Sequence, residues 1–284
     1  MTMTTSLAGG DRLSLQPIAL TSGLGRWRTE AMRAHRTPRL MFVTKGQGRL
    51  TMAGLTRGYG ANNLVFLPAG TMYGYEAGPL VSGHLLTIPG AMAAEWPDEP
   101  VHLRLRDVMA QREVAAIFDA LERELKDARP GAARAAHYHL GLLGVYFHRQ
   151  YDALAETARG EREDSAAARL VAAYSDLVER EFRRQPAIAH FARTLGVTPT
   201  HLTRACRQTC GRSAHELLTD RLLFEAREML RVDPRPVKEV AAALGYNSPA
   251  YFTRAFQRAT GQTPSDFRRA SRLQGAGPRP VTLH

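Results

Sequence analysis

Two short stretches of the 284-residue chain carry side chains suited to reading a polar surface: Thr200, Thr203, Arg204 and Arg207 in one, Ala250, Thr253, Arg254 and Gln257 in the other. Each set is spaced i, i+3, i+4, i+7, so a helix would gather all four on one face. The chemistry of such a face is hydrogen bonding to base edges. An Arg fork bonds guanine at two points, Gln does the same for adenine, and the methyl groups of Thr and Ala pack against thymine. Neither face carries a carboxylate, which phosphate would repel. Asn247 and Ser248, just before the second set, add polar groups at its entrance.

The elements that must position these faces are legible as a repeat. LTRACRQTCG at 202–211 matches FTRAFQRATG at 252–261, and upstream IAHFARTLG at 188–196 matches VKEVAAALG at 237–245. The offset differs by one residue between the two matches, and the difference falls in a turn, where insertions cost least. Each copy reads as a short apolar helix, a Gly-containing turn, a second helix opened by Thr198-Pro199 or Ser248-Pro249, and a Gly C-cap at Gly211 or Gly261. That is a helix-turn-helix, at 186–211 and again at 236–261. Leu202, Ala205 and Cys206 should face inward in the first copy, Phe252, Ala255 and Phe256 in the second. Between the copies, 213–231 reads as one helix, roughly 28 Å long at about 1.5 Å per residue. That length approaches one turn of DNA, about 34 Å. Ser213 with Glu216, and Thr263 with Asp266, supply capping pairs, the second imperfect because Asp replaces Glu or Gln.

Charge follows the same division. Residues 181–284 hold 17 Lys and Arg against 8 Asp and Glu, so they carry most of the formal net charge of +11. Lys238 is the only lysine among them, and a guanidinium suits phosphate and guanine better than an ammonium does. A polyanionic partner is expected. Cys206 and Cys210 are the only cysteines, which excludes a disulfide framework; the start MTMTTSLAGG lacks the layout of a secretory signal. A reducing cytoplasm is the expected location, and no stretch approaches the about 20 apolar residues of a membrane span.

The first 160 residues have a different texture. Short runs such as RLMFVTKG, GRLTMAG, NNLVFLPAG and GHLLTIPG, separated by Gly, Pro and Asn, predict a small β-barrel or sandwich over 12–108. Helical spacing takes over from Val108, with a second helix from about Ala132 to Glu156 after Arg129-Pro130-Gly131. The charged segment 156–164 reads as a linker, giving domains at 1–160 and 161–284. The fold class expected is α+β multidomain, a small β-barrel with following helices and then an all-α pair of helix-turn-helices.

The stretch 165–273 resembles the DNA-binding domain of AraC/XylS-type transcription regulators, above all through VKEVAAALGYNSPAYFTRAFQRATGQTPSDFRR. KGQGRLTMAG followed by NNLVFLPAGTMYGYE is similar to the cupin-like regulatory domain that many such proteins carry. The resemblance implies that Thr200, Thr203, Arg204 and Arg207, with Ala250, Thr253, Arg254 and Gln257, contact bases of promoter DNA. It also implies an activator that works with RNA polymerase, a homodimer formed through the helices at 132–156, and a small effector held in the barrel. Cys206 stands where such proteins place an aromatic, and Pro249 and Ala250 are short where others carry longer polar residues.

The effector site is left unassigned, with His35, Arg39, Tyr73 and His84 as candidates. No cofactor or metal is expected: Tyr73 stands where a metal-binding cupin would need a His, and His35 and His84 are far apart in sequence. A metal-dependent cupin enzyme tethered to DNA, and an architectural protein that coats DNA without reading it, are the alternatives. Arg33, His35, Arg36 and Arg39 form a basic cluster read as solvated, the alternatives being an anionic effector or a contact with the C-terminal half. The two cysteines lie at i, i+4 but lack a third ligand, and His137, His139 and His148 read as interface or surface residues.

Overall fold

The computed structural model describes residues 12–18, 27–78, 80–126, 129–157, 165–184, 187–274 and 281–282. The N-terminal half is β-rich, and one short strand from the C-terminal end of the chain joins its larger sheet. Strands β1 (Ser14–Pro17), β2 (Arg39–Lys45), β3 (Gly48–Met52), β4 (Leu55–Tyr59), β5 (Asn63–Leu67), β6 (Tyr73–Ala77), β7 (Ser82–Thr87), β8 (Val101–Arg104) and β9 (Val281–Thr282) form two sheets, with a short helix α1 (Trp27–Glu30) between β1 and β2. The larger sheet has the order β8-β5-β2-β7-β1-β9 and the smaller β4-β3-β6, and neighbouring strands pair antiparallel. The expected barrel is therefore an open sandwich, because edge strands β4 and β8 do not pair with each other.

Alternation along β2 shows what each face does. Leu40 and Phe42 join a core with α2 (Val108–Lys126) and α3 (Ala132–Thr157), whereas Met41 and Val43 point between the sheets toward Leu50, Tyr73 and Tyr75. The larger sheet is thus covered on both faces, and a one-residue slip of β2 would exchange its two apolar sets. Arg39, in step with Met41 and Val43, belongs to the inter-sheet face.

The C-terminal half is helical: α4 (Ala166–Glu181), a 3₁₀ turn at Phe182–Arg184, α5 (Ile188–Thr194), α6 (Pro199–Cys210), α7 (Ala214–Val232), α8 (Val237–Ala243), α9 (Pro249–Thr260) and α10 (Pro264–Gln274). One apolar cluster runs from Val171 on α4 to Phe267 on α10, and Met32 and Met72 of the N-terminal half belong to it. The halves therefore share a core. A Cβ on Gly54 would lie 2.3 Å from Val171 Cγ1, which shows how tightly the β3–β4 turn sits on α4. No helix among the described residues is long and apolar enough to cross a membrane. The segment read as a linker lies, from residue 158 to 164, outside the described residues.

Candidate nucleic-acid interface

The two helix-turn-helices form as the repeat dictates. Thr198 Oγ1 accepts a hydrogen bond from His201 N at 3.1 Å and Ser248 Oγ accepts one from Tyr251 N at 3.4 Å, each cap followed by proline in the first helical turn. Both second helices end in a left-handed glycine, Gly211 at φ 71° and Gly261 at φ 75°. Gly245, in the turn of the second unit, has φ +76° and lies so close to the 3₁₀ turn that a Cβ would meet Arg183 O at 2.1 Å. Only glycine fits there.

α6 and α9 turn the same sides inward. Leu202, Ala205 and Cys206 are buried in α6 and Phe252 and Phe256 in α9, while Ala255 is only half-buried. Thr200, Arg204 and Arg207 are exposed on α6, as are Ala250, Arg254 and Gln257 on α9, and Asn247 and Ser248 stand exposed before it. Thr203 and Thr253 are half-buried and flank the exposed stripes. Sequence reading missed four exposed residues that extend these faces, His201 and Gln208 on α6 and Tyr251 and Arg258 on α9. Their signal was present, since Gln208 and Arg258 lie at i+4 from Arg204 and Arg254.

α7 joins the units and is fixed at both ends. Ser213 and Glu216 form a complete capping box, with Ser213 N donating to Glu216 Oε2 at 2.6 Å. In the following unit Asp266 is too short to reach back to the backbone N–H of residue 263, and its carboxylate takes the Thr263 hydroxyl instead at 2.7 Å. Arg221, buried in the middle of α7, donates to Glu179 Oε2 at 2.5 Å, to Glu179 Oε1 at 3.0 Å and to Glu225 Oε2 at 2.9 Å, clamping α7 to α4. Burial works against the Glu225 carboxylate, but Arg221 and Arg183 outweigh it and hold its pKa below the usual range.

The effector candidates divide. His35, Arg39 and Tyr73 come together on the inter-sheet side: the His35 and Tyr73 rings are 5.8 Å apart, and of the charges acting on His35 that of Arg39 has the largest effect. His84 lies on the opposite face of the larger sheet, stacked on Phe118 of α2 at 5.6 Å, and does not join them. The basic cluster read as solvated is corrected by burial. Only Arg36 is exposed; Arg33 is 3% exposed, its guanidinium 4.7 Å from the Tyr73 ring centroid, 4.9 Å from that of Tyr75 and 5.7 Å from that of Phe224 on α7. Sequence spacing gave no sign that three aromatic rings, two from β6 and one from α7, would converge on it. Beside this junction a cavity of 240 Å³ lies between the open strand edges and α4, lined by Leu50, Met52, Leu55, His102, Ala168 and Ala172 among others.

Cys206 is buried and its thiol is pushed up to about 12, first by burial and then by Cys210. Such a thiol is protonated and a poor nucleophile or ligand. Among the described residues no group of three or more His, Cys, Asp or Glu is placed to hold a metal ion.

His35 makes stability depend on pH. Burial, then the charges of Arg39, Arg33 and Arg221, hold its pKa well below the ordinary 6.5, so the native protein keeps it neutral while the unfolded chain protonates. Its contribution is therefore fully present above about pH 6.5 and is lost as pH falls below it. His35→Gln should flatten the acid limb of a urea-midpoint series between pH 7.5 and 5 by up to one proton. An unchanged slope would mean that the imidazole is charged in the native state.

A model of the AraC-like ligand binding domain matches residues 19–143, and a model of a helix-turn-helix domain matches residues 191–270. The chain belongs to the AraC family. It is 40% identical over 80 residues to the HTH-type transcriptional regulator GlxA of Rhizobium meliloti, covering 28% of this chain and 25% of that protein. It is 26% identical over 184 residues to the HTH-type transcriptional activator RhaR of Salmonella schwarzengrund, covering 65% of this chain and 62% of that protein. The chain thus matches less than two thirds of the length of either relative. Among solved structures, ToxT of Vibrio cholerae superposes with a TM-score of 0.44 at 14% identity, covering 90% of this chain and 94% of that one.

Proposed function

We propose that this AraC-family protein is a sequence-specific DNA-binding transcription regulator, an activator rather than an enzyme, acting in the cytoplasm on promoter DNA together with RNA polymerase. Residues 161–284 form the DNA-binding part and residues 1–160 the part that binds an effector and dimerises. The observation that carries the reading is the pair of matched, acid-free helix faces on α6 and α9, held at the two ends of one 19-residue helix. Arg204, Arg207, Arg254 and Gln257 reach base edges, Thr200, Thr203, Ala250 and Thr253 pack beside them, and Asn247 and Ser248 hold the backbone. Dimerisation is supported by Tyr138, Leu142 and Val145, exposed apolar residues at i, i+4, i+7 on α3.

Selection of bound sequences from a random duplex library should enrich a motif with two blocks about one helical turn apart. Arg204→Ala or Arg254→Ala should then cost about 1–3 kcal/mol of affinity for that motif and less on random duplex. Equal losses on both DNAs would show that these arginines touch phosphate and would remove the sequence-reading claim.

A further inference from the structure

The inter-sheet face next to the junction holds two buried donors without acceptors. Tyr73 is 1% exposed and its hydroxyl has no hydrogen-bond partner, and Arg39 Nε is likewise buried and unpartnered. Leaving such a donor unmet destabilises a fold, more so for a charged group, so a fold that retains two of them has a use for them. The surroundings are positive. The charges acting on His35 are those of Arg39, Arg33 and Arg221, all cationic, and no carboxylate is among them. Tyr75 does not offer its proton, since its hydroxyl already donates to Ile18 O at 3.1 Å.

We propose that Arg39 Nε and Tyr73 Oη are the donors of a binding site for a small carboxylate, with His35 and the Arg33 guanidinium forming its wall. Two unmet donors, both on groups that act on or lie beside His35, match the two oxygens of a carboxylate, and a charge-assisted pair is the strong form of such bonds. A dianionic phosphate would need about twice as many donors to replace its hydration. Arg33 gives the site its reach: its one guanidinium is within 6 Å of the ring centroids of Tyr73 and Tyr75 on β6 and of Phe224 on α7. Charge placed against Arg39 and Tyr73 therefore acts on the helix that spaces the two recognition units. The inference rests on the reading of the N-terminal half as the effector-binding part, and it names the chemical class of effector and the contact through which the effector is felt.

The test uses the full-length protein without DNA. Thermal midpoints are measured with increasing sodium propionate, with inorganic phosphate, and with sodium chloride at matched ionic strength, for the wild type, Tyr73→Phe, Arg39→Met and Arg39→Lys. Propionate should raise the wild-type midpoint saturably above the chloride control, Tyr73→Phe and Arg39→Met should abolish that rise, and Arg39→Lys should not restore it because lysine has no Nε–H in the guanidinium plane. Without ligand, Tyr73→Phe should be as stable as the wild type or more so, since it deletes an unsatisfied hydroxyl. No saturable rise with propionate, a rise that survives both substitutions, or a phosphate-only rise that Arg39→Met removes would each overturn the site. The regulator reading is tested separately by DNA selection, so either can fail while the other stands.

Discussion

Replacing Arg221 with Ala should lower the unfolding free energy by about 3–5 kcal/mol, the range found when one member of a buried ion pair is removed. The side chain is 3% exposed and meets the Glu179 carboxylate with two N–H groups and Glu225 with a third, while its guanidinium lies 4.1 Å from the Phe182 ring centroid. Its removal leaves two mostly buried carboxylates beside each other, of which only Glu225 keeps a partner, in the half-exposed Arg183. The penalty then comes from uncompensated charge more than from the lost bonds. Its pH dependence identifies it. In the variant the Glu225 carboxylate, which Arg221 helps to hold below its usual range, rises toward or above its unfolded value, so the deficit relative to wild type should be largest near neutrality and shrink as pH falls below about 5. Urea melts of both proteins at pH 7 and pH 4.5 would measure this. A deficit under about 1 kcal/mol at pH 7 would mean that water screens the cluster as it does a surface pair.

Why Arg221 escaped a sequence reading, while the recognition faces did not, is a matter of range. The faces are local: i, i+3, i+4, i+7 spacing, a hydroxyl before proline and a glycine 12 residues later are fixed within one helix, and the repeat states them twice. The β-rich texture of residues 12–108 was legible for the same reason, each strand being a short apolar run between turn residues. Closure was not, because whether β4 meets β8 depends on strand tilt and register across the sandwich, which no single run encodes. Arg33 and Arg221 are the extreme cases. Each looks like a surface arginine in its own segment and becomes a buried one only when Phe224 arrives from another helix, or Glu179 from 42 residues away. His84 shows the converse, a candidate suggested by residue type whose strand parity turns it toward Phe118 and away from Tyr73.

Phe256→Ala should cost about 3–5 kcal/mol, the usual price of deleting a buried aromatic, and should do so unevenly. Phe256 is fully buried, with Phe252 at 5.8 Å and Phe267 at 5.6 Å between ring centroids, so its ring ties α9 to α10 within the second unit. The matched residue of the first unit is Cys206, also fully buried, and Cys206→Ala removes one heavy atom for on the order of 1 kcal/mol. The first unit leans instead on its neighbours: α6 packs against α4, and Tyr174 of α4 donates its hydroxyl to Ala214 O at 2.7 Å where α7 begins. Hydrogen exchange of Phe256→Ala should therefore show protection falling in α9 and α10 well before α6, and its DNA footprint should contract to the block read by the first unit. Equal loss of protection in α6 and α9 would mean that the apolar cluster from α4 to α10 opens as one cooperative body. The regulator would then lose both recognition helices together, and the aromatic and cysteine positions would differ only in how much stability each contributes to a single transition.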